Sequence, residues 1–151
     1  MPETNRIAVE ITAEDAAVID SSLTALEEKL AAYLVALSAD ERRGLPKMKD
    51  KTYAFVQKTV DYTDSDPGFV PDFMDAAGLK IDFAAVSALT AIFRRIEKLR
   101  GNLDDTILLS GSEAYKAALH YYNSVKISAK ANVPGAKEIY EDLKQRFEKN
   151  G

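Results

Sequence analysis

Arg100 and Lys126 carry charge where their surroundings call for grease: each falls on a heptad position whose neighbours one turn away are apolar. A cation at such a place must be paired or must reach out to water along its own stem. With the hydroxyls of Tyr115 and Tyr122, the two are candidates to bind a carboxylate or phosphate inside a helical bundle. Arg100 would grip such a group with two parallel bonds and Lys126 as a point charge. The structural alternative pairs Arg100 with Asp104 four residues on, and Lys126 with Glu97 if the chain turns back near Gly111.

Other reactive residue types are sparse. The lone histidine, His120, projects about 100° from the stripe of Tyr115, Leu119 and Tyr122, beside Lys116 and Asn123, and is expected to face water. No Glu-x-x-His or His-x-x-x-His pair exists, so a di-metal carboxylate site fails on ligand count. Asp104 and Asp105 diverge by about 100° on a helix, whereas an acid and base pair must converge on one substrate. No Gly-rich phosphate loop, nucleophile elbow or dinucleotide fingerprint is present. The expectation is no catalytic residue, no metal and no cofactor.

The elements that position these residues read as helices. Thr12 caps a helix with Glu14 and Asp15 in its first turn, running to about Leu37. Its Ile19, Leu23, Leu26, Leu30, Tyr33 and Leu37 step by four and three, a seam for shallow-angle packing against a neighbour. Ser38 with Glu41 forms a capping box for a short turn that Gly44 and Pro46 end. A second helix spans Asp50 or Lys51 to Thr63. Asp66-Pro67-Gly68 breaks it, and an apolar connector follows from Phe69 to Ile81, in which Pro71 starts and Gly78 ends one short helix. Asp82 caps a third helix to Leu109, with Val86, Leu89, Phe93, Ile96, Arg100, Leu103 and Ile107 in one phase. A turn is placed at Ser110 to Ser112, where Ser110 and Glu113 offer another capping box. The fourth helix carries Tyr115, Leu119, Tyr122, Lys126, Ala129 and Val133, and a last amphipathic one uses Ile139, Tyr140, Leu143 and Phe147.

The predicted fold is therefore all-α: one domain over 1–151, an antiparallel four-helix bundle with short accessory helices and a C-terminal helix. Residues 1–11, alternating at Ile7, Val9 and Ile11, form an extended arm, and 148–151 a frayed tail. The chain has 151 residues, 46% hydrophobic and 29% charged, values of a globular domain. Lys and Arg total 20 against 24 Asp and Glu, interspersed, which argues against nucleic acid or an anionic membrane as partner. Cysteine is absent, so disulfides and thiolate metal sites are excluded. No apolar run reaches the roughly 20 residues of a membrane span, and a cytoplasmic protein is expected.

Leu45 to Val56 (LPKMKDKTYAFV) and Leu109 to Leu143 (LSGSEAYKAALHYYNSVKISAKANVPGAKEIYEDL) resemble a family of small bacterial helical proteins of similar length to which no activity is assigned. Members tend to carry Gly where this chain has Lys49. The resemblance implies a bacterial helical protein and supplies no site residue.

Two functional expectations follow. The first is a non-enzymatic protein acting in self-assembly or protein–protein interaction, as a homo-oligomer or with another protein, through its outer helix faces or through Phe69, Phe73 and Met74 of the connector. The alternative is a binder of a small anionic or amphipathic ligand in the bundle, walled by Arg100, Lys126, Tyr115 and Tyr122.

Overall fold

The computed structural model describes residues 5–148; the expected frayed tail lies outside them except for Glu148, as do the first four residues of the expected arm. Five α-helices are present and no strand among the described residues, so the protein is all-α. Backbone proximity divides the chain into two units, Ile11–Lys98 and the residues from Leu99 onward together with the N-terminal arm.

In the first unit, α1 (Ala13–Ala31) starts where Thr12 takes an extended backbone and its side-chain oxygen accepts the Asp15 N–H at 3.0 Å. It stops six residues short of the expected Leu37. The Tyr33 N–H turns back to the Leu30 carbonyl, and the chain must then be extended by Ser38 to cap the next helix. The short helix α2 (Ala39–Gly44) carries the complete capping box: Glu41 N–H donates to Ser38 Oγ, and Ser38 N–H to the Glu41 carboxylate at 2.7 Å. That bond to the backbone holds the Glu41 carboxyl below the ordinary carboxylate range.

α3 (Asp50–Ser65) and the first half of α4 (Ala76–Lys130) form an antiparallel hairpin. Tyr53 sets its ring 5.0 Å from Phe83 and its hydroxyl 2.8 Å from Ser87 Oγ, while Asp64 pairs with Lys80 nearer the connection. The connection is a 3-10 turn, Pro67–Phe69, and a turn closed by the Met74 N–H on the Pro71 carbonyl. No helix begins at Pro71. Asp75 caps α4 instead, its carboxylate accepting the Gly78 N–H at 2.8 Å. Helix start therefore moves from the expected Asp82 to Ala76, and Gly78 sits inside the first turn rather than ending a helix. A Cβ on Gly78 would meet the Asp75 carboxylate at 2.4 Å, so the cap and the glycine require each other.

The second expected departure from helix, at Ser110 to Ser112, does not occur; α4 runs through it. Glu113 does not fold back to Ser110 as a capping box requires. Its carboxylate accepts the Arg6 N–H of the N-terminal arm at 2.7 Å. With the turn gone, the alignment that set Lys126 level with Glu97 loses its basis.

α4 closes on a left-handed residue, Asn132 (φ 59°). The Val133 N–H reaches back to Ser128 and the Asn132 N–H to Ala129, which satisfies the last carbonyls by a Schellman arrangement. Gly135 (φ 83°) then redirects the chain into α5 (Ala136–Lys144), which ends in a 3-10 turn at Gln145–Phe147.

Candidate functional site

Three surfaces hold the residues with chemistry, and each belongs to one unit. The first is the corner where α5 meets the end of α4. Val125, 8% exposed, and Ala136, 7% exposed, are the buried residues of the described chain. Around them Tyr122 stacks on Tyr140 at 5.7 Å and on Phe147 at 5.0 Å between ring centres, with Lys144 over the Tyr140 ring. Desolvation, then a hydrogen bond with the Tyr140 hydroxyl, push the Tyr122 phenol above its ordinary value. This corner is a small aromatic core, and its hydroxyls bond to each other.

The second is a groove of about 900 Å³ between the arm and α4, lined by Arg6, Ile7, Glu113, Lys116 and His120 among others. One Glu113 oxygen is shielded from solvent without a hydrogen-bond donor among the described residues. The sequence placed Lys116 and His120 on one face of a helix. The arm's return to Glu113 had no local signal, because it links positions 107 residues apart.

The third lies in the other unit, where the connector opens a groove of about 440 Å³ against α3, lined by Thr59, Tyr62, Thr63, Asp66, Phe69, Val70 and Met74. Phe69 is 90% exposed and Phe73 93%, while Met74 is half-buried.

The four residues weighed as walls of an anion site are strung along one helix. Arg100 is exposed and Lys126 half-buried, and at 1.5 Å per residue they stand about 39 Å apart along the axis. Tyr115 is exposed, two turns above the aromatic corner in which Tyr122 is engaged. A single chain does not gather all four around one cavity. Asp104 and Asp105 are both exposed, and His120 lines the arm groove beside Lys116. Among the described residues no group of three potential metal ligands comes together.

α4 is also long and apolar enough, by length and composition, to cross a membrane. Comparison with protein-family models, with curated proteins and with solved structures gives no match. The class that fold and site define is thus an all-α protein whose most conspicuous feature is uncovered apolar surface.

Proposed function

We propose that this chain is a non-enzymatic assembly subunit, cytoplasmic and water-soluble, whose antiparallel four-helix bundle is completed between copies of the chain. One observation carries the reading: the unit Ile11–Lys98 contains no buried residue, although it bears two heptad stripes. Leu26 in the middle of one stripe is 40% exposed and Phe93 in the other 62%. Covering a side chain of this kind is worth about 1.5–3 kcal/mol, so leaving a row of them wet forfeits what normally offsets chain entropy.

On α4 Val86, Leu89, Phe93 and Ile96 step by three and four along one face, while Ile81, Ile92 and Leu99 lie off that stripe and Lys80 and Asp82 interrupt the apolar stretch. The regular heptad stripe is the surface a second helix engages, and its continuation beside Arg94, Arg95 and Lys98 supports a helical partner over lipid. The connector adds two further exposed rings, Phe69 and Phe73.

Native mass spectrometry of protein purified from its own host tests the proposal, because it reports subunit count and retained ligand together. A defined multiple of the 16.6 kDa chain is expected. A strict monomer holding a small anion would favour the alternative, a ligand binder using Arg100, Lys126, Tyr115 and Tyr122. A monomer without ligand would overturn both.

A further inference from the structure

The helix α1 is the least supported element of the molecule. None of its 19 residues is buried, and only Leu30 is as much as half-buried. Most of a helix's stability in a protein comes from packing its amphipathic face rather than from propensity, so the stripe of Ile19, Leu23, Leu26 and Leu30 calls for a cover. The flanks of that stripe say what. Glu14, Asp15, Asp20, Glu27 and Glu28 stand against Lys29 alone, which makes α1 an acidic amphipathic rod.

The opposite surface exists in the same unit. On α4, Val86, Leu89, Phe93 and Ile96 form an open stripe with the complementary order of steps, three, four, three against four, three, four. Beside it Arg94, Arg95 and Lys98 stand against Glu97, and a groove of about 340 Å³ lined by Met48, Tyr53, Val86, Thr90 and Arg94 opens at their edge. Four apolar rungs and a carboxylate excess thus match four apolar rungs and a cation excess, and within one unit neither stripe has a fully buried rung.

We infer that α1 of one copy packs on the Val86 to Lys98 face of α4 in a second copy, reciprocally, so that a two-fold pair of chains carries two equivalent α1–α4 contacts. This rests on the reading of the chain as a self-assembling subunit and names the surfaces that do it. Reciprocal exchange closes the assembly, because each copy offers one acidic and one basic stripe and uses both. The charges select which helix meets which and the apolar rungs hold the contact.

Two charge-reversed full-length chains test it by sedimentation velocity. One carries Asp20→Lys, Glu27→Lys and Glu28→Lys on α1; the other carries Arg94→Glu, Arg95→Glu and Lys98→Glu on α4. Each alone sets like charges against each other and is expected to self-associate more than tenfold more weakly than the unaltered chain. Mixed in equal amounts they place opposite charges across both contacts, and pairing is expected to return. Variants that assemble as the unaltered chain does, or a mixture that stays dissociated, would overturn the inference while leaving assembly standing. An unaltered chain that sediments as a monomer would overturn the assembly reading with it. If a variant loses helix content, carboxylate–lysine crosslinking of a mixture of ¹⁴N and ¹⁵N unaltered chains puts the same question. Mixed-mass links from α1 to Lys98 support exchange, and single-mass links alone contradict it.

Discussion

The α4–α5 corner and helix α1 begin from the same sequence signal and end in opposite states. Both are amphipathic stretches with apolar residues three and four apart. At the corner, Asn132 and Gly135 adopt left-handed backbone and turn α5 back so that Tyr122 meets Tyr140 and Phe147, and Val125 and Ala136 are buried. After α1 the chain passes through residues 34–38 without a tight reversal, and Ile19, Leu23 and Leu26 of its stripe stay exposed. Periodicity states that a face wants covering. The connecting turn decides whether the same chain supplies the cover.

That comparison breaks most visibly at the corner's rings. Tyr122→Ala removes the ring that contacts both Tyr140 and Phe147 and is expected to destabilise the corner by about 2 kcal/mol, the lower end for a large-to-small change because the site is half-buried. Loss of near-ultraviolet dichroism without loss of α1 helicity would show it. Next comes the turn itself: Gly135→Ala forces a side chain into φ 83° and should cost about 1 kcal/mol in thermal unfolding, whereas Gly101→Ala, with no atom within 4 Å of the added Cβ, should stabilise the long helix by about 1 kcal/mol. Equal effects of opposite sign at two glycines would separate a turn that makes a core from a helix that lacks one.

The capping box gives a smaller effect on the uncovered side. Ser38→Ala should cost about 1 kcal/mol of α2 stability, read by hydrogen exchange over residues 39–44. Glu41 has a depressed pKa when folded, so its contribution is present above its ordinary value and fades as pH falls through the folded one; acid should release α2, and Glu41→Gln, which removes the titrating group, should abolish that dependence. At the corner the sign reverses. The Tyr122 phenol is raised, so its contribution holds below its ordinary value near 10 and is lost as pH climbs through the higher folded value. Absorbance near 295 nm should show one tyrosine ionising late, and Phe at position 122 should remove it.

Much of the helical content was legible. The Thr12 cap and the Ser38–Glu41 box rest on residues within a turn of each other and stand in the structure as read, whereas the seam read from Ile19 to Leu37 keeps its helix only to Ala31 and stays exposed instead of packing on a neighbour. The failures are of two physical kinds. Local cap signals misled at two places: Asp82 was read as the start of the long helix, whereas Asp75 caps it, and Ser110 with Glu113 suggested a turn because nothing local shows that Glu113 is spent on Arg6. The second kind concerns partners. Tyr122 lay on a legible stripe, but its contacts with Tyr140 and Phe147 depend on a left-handed turn at Asn132 and Gly135, whose direction helical spacing does not encode. For Arg100 and Lys126, heptad phase marked both as unusual, and a single chain leaves them about 39 Å apart on one helix.

Amide hydrogen exchange followed as a function of protein concentration bears most directly on the claim that the core of the Ile11–Lys98 unit is made between chains. Protection of α1 and of the Val86 to Lys98 stretch is expected to fall on dilution, as pairs of chains separate, while protection over residues 122–147 stays constant. Protection of α1 that is strong and unchanged at every concentration would mean that the chain covers its own stripe, and the account would be wrong.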